Sequence, residues 1–302
     1  MDNDEITGGL PLFEVKGFQG KRFVSTPFRD RGGVLVRDGV DPAPLLQAAG
    51  DQCLKENANC VVVKEENPLP DKAWKTTGYQ SVEHWTTTVV DLTPGAATLW
   101  EQLKNNAQGP VKQAEKLRVR LREGTALEDM RCFSRIFSVN RRALGVPVFQ
   151  TCLFDYFYHL FCQKNKARLF LADTSRGVIA GILILIQGRT AIDGYAASLP
   201  QFSGMRANDF LVWKALEWSA ENGFERFDFG ADSPTQHNLL FFKRKWGGVH
   251  HVMPHYYYLH KQKTIDLHDS SSRIYGVARQ CLSKLPPFLF RLFSKMIVSR
   301  LG

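Results

Sequence analysis

The sequence predicts an α/β (α+β) chain with mixed, mainly antiparallel sheets, divided into two units. Three observations carry this. The 302 residues, 44% of them hydrophobic, are enough for two ordinary domains with real cores. Strand and helix signals interleave over the first ~90 residues. Further on, three strands in succession are followed at once by a helix and a fourth strand.

In the first unit, the apolar runs Leu10 to Val15 and Phe23 to Thr26 flank the turn Gly17 to Gly20, a hairpin signal. A helix is expected from Ala43 to Lys55, behind Asp41-Pro42. Cys60 to Val63 reads as a buried strand and His84 to Leu92, rich in Thr and Val, as another. The stretch from Thr93 to Lys116 has helical spacing at Leu99, Leu103 and Ala107. A break at Gly109-Pro110 predicts two short helices there. The division falls near residue 94, giving units 1–93 and 94–268 and a basic tail 269–302.

The second unit has helices over Leu127 to Leu144 and Cys152 to Lys164. Strands follow over Arg168 to Ala172, Val178 to Gln187 and Thr190 to Ala197, joined by tight turns as an antiparallel meander. A helix from Asn208 to Glu221 stops at Asn222-Gly223 and leads into a strand at Arg226 to Gly230. Meander, crossover helix and parallel strand together describe the core of the GNAT fold, whose sheet splays where its fourth and fifth strands part. Fold alone does not fix a reaction.

Leu10-Pro11-Leu12-Phe13, Trp213 to Trp218 ahead of Gly223, Phe227-Asp228-Phe229-Gly230 and Phe242-Lys243-Arg244-Lys245-Trp246-Gly247, in this order, resemble the FemAB branch of the GNAT superfamily. The resemblance runs from about residue 10 to about 260. It implies tandem GNAT-like domains and transfer of an aminoacyl or acyl group onto an amine, without a metal or a tightly bound cofactor. FemAB enzymes take aminoacyl-tRNA as donor and a peptidoglycan precursor as acceptor; similar proteins accompany exopolysaccharide systems. The family carries a further helix and strand ahead of its Leu-Pro-Leu strand, so the first domain is expected to be N-terminally incomplete.

Acyl transfer to an amine needs a deprotonated nucleophile and preorganised stabilisation of developing charge. At helical spacing Leu239, Phe242 and Trp246 form one stripe from His237 to Gly247, with Lys243 inside the arc and Arg244 and Lys245 outside it. Lys243 either snorkels or aims at an anionic group. The resemblance places the pair Phe242-Lys243 near the reacting groups, and replacing Lys243 with Ala is expected to abolish transfer. Asp228 orients an amine or caps the next loop, the latter being favoured. Asp193 and Tyr195 alternate on the strand before the crossover, where either could move a proton or simply belong to a partly exposed strand face. Gln201 to Asn208, with Gly204 and Arg206, partly resembles the loop whose amides hold acyl-CoA pyrophosphate. Trp246 joins the substrate-binding set.

The net charge of +9 favours anionic partners: a phosphorylated acceptor, lipid-linked or not, tRNA, or an acidic membrane. Arg118, Arg120 and Arg122 alternate as on a strand edge and form either a solvated face or a site for phosphate. Lys21, Arg22, Arg29 and Arg31 read as a solvated face. Six cysteines without CxxC spacing read as reduced core thiols. His250, His251 and His255 lack zinc spacing and read as surface or edge residues.

No acid follows Asp269, while Arg273, Arg279, Lys284, Arg291, Lys295 and Arg300 alternate with Phe288, Leu289, Leu292, Phe293, Met296 and Ile297. This pattern suits an interfacial helix, ahead of a packed C-terminal one. A cytoplasmic protein, peripheral at the inner face of the membrane through 273–302, is expected. A coenzyme A-dependent N-acetyltransferase and a catalytically silent GNAT-fold scaffold stay open beside the FemAB-like reading.

Overall fold

The computed structural model describes residues 5–17, 20–150, 152–265 and 273–301. In chain order the elements are β1 (Gly8–Gly9), β2 (Phe13–Gly17), β3 (Gly20–Val24), β4 (Leu35–Val36), α1 (Ala43–Lys55), β5 (Cys60–Lys64), α2 (Asp71–Thr76) and β6 (Gln80–Asp91). There follow α3 (Ala96–Gln102), α4 (Asn105–Lys116), β7 (Arg120–Gly124), α5 (Leu127–Ala143), α6 (Cys152–Leu160), β8 (Ala167–Thr174), β9 (Gly177–Gln187) and β10 (Thr190–Ser198). The chain closes with α7 (Ala207–Glu221), β11 (Arg226–Asp232), α8 (His237–Arg244), β12 (Val249–Leu259), α9 (Arg273–Lys284) and α10 (Pro287–Leu301).

β1 and β4 pair with each other, and the remaining strands form one ten-stranded sheet in the order β2-β3-β5-β12-β6-β11-β10-β9-β8-β7. Two neighbours are parallel, β3 with β5 and β10 with β11; the rest are antiparallel. The series hairpin, helix, parallel strand, helix, strand occurs twice, as β2-β3-α1-β5-α2-β6 and as β9-β10-α7-β11-α8-β12. The repeats exchange their last strands: β6 lies against β11, while β12 lies between β5 and β6. The tandem GNAT-like architecture expected from the sequence is thus present, fused through the sheet rather than strung on a linker.

The exchange corrects the reading of the histidines. β12 is a central strand, so His255 is buried, 5% exposed, and desolvation holds its imidazole down to about 3. The predicted break at Gly109-Pro110 is also displaced. Leu103 is extended and separates α3 from α4, and Pro110 lies inside α4 behind Gly109, which has no Cβ to clash with the proline ring. All six cysteines are free thiols; Cys53 and Cys60 are buried, but Cys152 and Cys281 are exposed rather than in a core.

α7 is apolar nearly all round because it is covered twice, by β8–β10 below and by α3 and α4 outside. Phe210, Trp213, Phe227, Phe229 and Trp246 belong to this core. On the opposite face α5 and α6 bury Phe133, Phe137 and Phe154 against Leu169, Leu171 and Leu183. The tail joins that second core: Phe290 is 1% exposed, Leu282 and Leu285 pack beside it, and α10 also touches β2. One face of the tail is therefore packed, contrary to a purely interfacial helix, while the other carries exposed apolar side chains.

Candidate active site

β10 and β11 are hydrogen-bonded only over Thr190↔Arg226, Ala191↔Phe227 and Ile192↔Asp228. Beyond these residues the pairing ends and the sheet opens. Just past the last pair, β10 carries a bulge at Gly194, where an added Cβ would stand 2.8 Å from Leu185 Cγ and 3.0 Å from Leu183 O. The bulge sets Asp193 opposite Ile184 and Tyr195 opposite Leu183. Plain alternation would put Asp193 and Tyr195 on one face; with the extra residue they fall on opposite faces.

Asp193 faces the side of α7 and α8. Desolvation raises its carboxyl to about 7, with Asp232 and Asp228 adding to the rise and the Lys243 charge opposing it. Lys243 lies in this layer, 6% exposed. Its ammonium donates to both carboxylate oxygens of Asp232 at 2.7 Å, to Phe229 O at 2.8 Å and to Gly230 O at 3.0 Å. Of the two sequence readings for Lys243, the anionic target is the one found, and it is a protein carboxylate. Gly230 has φ +74°, which turns β11 so that its carbonyl reaches the lysine.

Asp228 lies on the other face, 2% exposed. It accepts from Thr87 Oγ1, from Gly230 N at 2.7 Å and from Arg31 Nη1 at 2.6 Å. The favoured capping role is present, with an ion pair added. Arg31 belongs to the loop after β3, which crosses from the first repeat. Asp30 of that loop accepts from Ala231 N at 3.0 Å, and Lys64 Nζ holds its backbone at Thr26 O and Arg29 O. Arg29 and Arg31 are therefore not a solvated face, as expected from the charge run; they are folded into the opening of the second repeat.

Tyr195 sits edge-on among Phe137, Phe154 and Phe157. The Arg29 guanidinium lies 5.9 Å over its ring and 3.5 Å from its hydroxyl. Arg141, at the end of α5, stacks 4.8 Å over Phe137; desolvation lowers its pKa, and Tyr195 opposes that shift. Among the described residues no carboxylate pairs with Arg29 or Arg141. Phe28 and Phe149 meet edge to face and bring the loops carrying the two repeats' residues together.

The remaining expected residues lie further out. Gln201, Gly204 and Arg206 are exposed on a 3-10 turn before α7; Arg206 is left-handed, and no side chain caps the helix start at Ala207 and Asn208. Arg118 and Arg120 line a cleft of about 840 Å³ with Arg122, Arg176 and Met205 of that same turn. Arg122 is paired with Asp129 and Asp173, whereas no acid among the described residues pairs with Arg118, Arg120 or Arg176. Phe242 packs against Trp246, and Lys245 reaches Asp209 rather than solvent. Trp246 itself is 1% exposed and is mainly a core residue, because its ring completes the packing of α8 on the sheet.

Lys243, Asp228 and Tyr195, each named from the sequence as a catalytic candidate, thus surround one opening, and among the described residues no hydrogen bond joins any two of them. Asp232, Arg31 and Arg141 were not among the site residues expected from the sequence. Asp232, two residues past Gly230, had a faint signal in the strand's polar end; Arg141, on a helix with charged neighbours, had none.

Residues 102–243 match the family model described as Acetyltransferase (GNAT) domain. Over this stretch the chain is similar to GNAT acetyltransferase domains and carries their fold. Among solved structures, FemX is similar with a TM-score of 0.68 at 14% identity, covering 87% of each chain. The C-terminal domain of a putative lysylphosphatidylglycerol synthetase from Agrobacterium fabrum follows with 0.60 at 11% identity, covering 84% of each. L-PGS from Bacillus licheniformis gives 0.57 at 14% identity, over 91% of this chain and 89% of that one. No curated protein matches the chain in sequence. A tandem GNAT protein from the clavulanic acid biosynthesis pathway is similar over both repeats, with a TM-score of 0.54 at 12% identity, covering 86% of this chain and 81% of that one, and the opening between β10 and β11 corresponds to the splay that the GNAT resemblance led one to expect.

Proposed function

We propose that the protein transfers an aminoacyl or acyl group from a phosphate-bearing donor to an amine of an anionic, phosphorylated cell-envelope or exopolysaccharide precursor, in the FemAB manner. One observation supports this above others. The opening between β10 and β11 has a carboxylate of raised pKa on one face and, on the other, two guanidinia without acidic partners among the described residues. A carboxylate near neutrality suits proton removal from an amine, and Arg29 and Arg141 suit the acceptor's phosphate. The lipid-linked or free state of that acceptor is a finer choice that this chemistry does not require.

In the step we propose, the acceptor nitrogen bonds to the donor's carbonyl carbon while the carbon's bond to the leaving oxygen or sulfur breaks. The proton lost by the nitrogen passes to Asp193 and from there to the leaving atom. Lys243 spends its donors on Asp232 and on β11, so its part is to position this strand and to fix the charge balance around Asp193. Asp228 and Arg31 tie the acceptor-side loop to the same strand. Donor phosphates would be held by the free amides at the start of α7, with Gln201, Gly204, Arg206 and Asn208 around them, and by Arg118 and Arg120 in the adjoining cleft.

The test is transfer by the purified chain with acetyl-CoA or with aminoacyl-tRNA as donor, followed by Arg29→Ala and Arg141→Ala. The expected result is transfer from aminoacyl-tRNA, with the acceptor KM raised at least about tenfold in either variant and the donor KM unchanged. Transfer from acetyl-CoA alone would favour an N-acetyltransferase, to which the helix-start amides are equally suited. No transfer with either donor would leave a GNAT-fold scaffold.

A further inference from the structure

α10 has two apolar faces, and only one is packed among the described residues. Phe290 and Ser294 are buried and Ile297 is half-buried on the packed side. On the other side Phe288 is 69% exposed, Leu292 54%, Met296 51% and Phe293 43%. At 100° per residue these four span an arc of roughly 140°. Single exposed apolar residues are ordinary on a protein surface, but a contiguous stripe with two phenylalanines is not. Arg291 and Lys295, both exposed, border the stripe on one side, and no acidic residue occurs in 270–302. Among the described residues neither cation has an acidic partner.

Apolar side chains bordered by unneutralised cations match one surface in particular, an anionic lipid bilayer, where the rings enter the acyl boundary and the cations stay among the headgroups. A second protein copy would meet the same cations on its own stripe, which a face-to-face pairing of helices does not favour. We infer that the outer face of α10 docks the protein on anionic membrane. The inference does not depend on the transfer chemistry. No helix among the described residues is long and apolar enough to cross a membrane, so the contact is lateral. Because the inner face is anchored by Phe290 to the α5–α6 core and α10 also touches β2, docking would hold the folded body, not a loose tail, at the surface.

The experiment is co-sedimentation of the full chain with vesicles of phosphatidylcholine alone and with vesicles containing one third phosphatidylglycerol, at low and high salt. Binding to the anionic vesicles, weakened by salt, is expected. Replacing Arg291 and Lys295 with Gln should weaken it roughly 25-fold, about fivefold for each cation. Leu292→Asp with Met296→Asp should abolish it while leaving the melting curve unchanged, since both side chains lie on the exposed face. Absence of binding to either vesicle, or binding unaffected by both pairs of substitutions, would overturn the inference. So would a concentration-dependent dimer in sedimentation that the Leu292→Asp, Met296→Asp pair dissolves, because the stripe would then belong to a second copy.

Discussion

Arg31, from the first repeat, places a guanidinium nitrogen 2.6 Å from Asp228 of the second. The carboxylate is almost fully buried and the arginine largely so, 2% and 15% exposed at the side chain. Removing one partner of such a pair leaves a charge without compensation, at a cost of about 3–5 kcal/mol. Arg31→Ala should therefore lower unfolding free energy by that order in urea melts, far more than Arg37→Ala, whose pair with Glu5 is exposed. A loss no larger than that of Arg37→Ala would mean that Thr87 and Gly230 N alone satisfy Asp228.

Lys243 tests whether positioning and chemistry separate. Lys243→Ala leaves Asp232 buried without its cation, so both stability and transfer should fall. Adding Asp232→Ala removes the orphaned charge and should recover part of the stability while transfer stays low. If the double variant instead regains transfer, Lys243 serves only the fold. A double-mutant cycle on unfolding free energy measures the pair, with coupling expected in the range of about 1–3 kcal/mol.

Most elements of the two repeats were legible in the sequence to within a few residues, because α1, α7 and the meander each have a clean period and a stop signal such as Gly223; the short α2 had no such period and was not foreseen. The pairing of those elements was not. Nothing in β12 distinguishes a central strand from an edge strand, since His250 and His251 resemble edge residues and only the exchange of last strands buries His255. The site divides the same way. Lys243 was singled out by the family resemblance, since its place in an apolar helical arc left snorkelling and an anionic partner equally open; Asp232 is the partner found. Arg29 and Arg31 were not, because a basic run beside two glycines looks the same whether it meets water or crosses to another repeat. Gly194 hid the reversal of Tyr195, since a bulge leaves no periodic trace.

The buried His255 gives an acid limb to stability. Its imidazole is held at about 3, below the ordinary 6.5, chiefly by desolvation, with the Lys64 and His84 charges adding to the fall and a hydrogen bond to the Asp30 backbone opposing it. Its Nε2 has no hydrogen-bond partner among the described residues. Between pH 6.5 and 3 the unfolded chain binds a proton that the folded chain refuses, so stability falls as pH falls through that window. His255→Gln should flatten this dependence in melts between pH 7 and 4; an unchanged slope would assign the acid limb to other groups.

Asp193 has the opposite sign. Its carboxyl, raised to about 7 by desolvation with Asp232 and Asp228 contributing, holds a proton in the folded chain that the unfolded chain has already lost above pH 3.8. Folding therefore loses stability as pH rises from about 4 to about 7, and Asp193→Asn, which cannot ionise, should melt higher than the parent at pH 8 while differing little near pH 4. The same ionisation switches on the base, so transfer should rise with pH through about 7 and then level. In Asp193→Asn the rate should drop by about 10²–10⁴-fold and its rise near 7 should vanish. The two readouts separate the roles of the side chain. A higher melting point with an undiminished rate would make Asp193 a buried acid tolerated by the bulge at Gly194, and the proton acceptor would then have to be sought in the substrate itself.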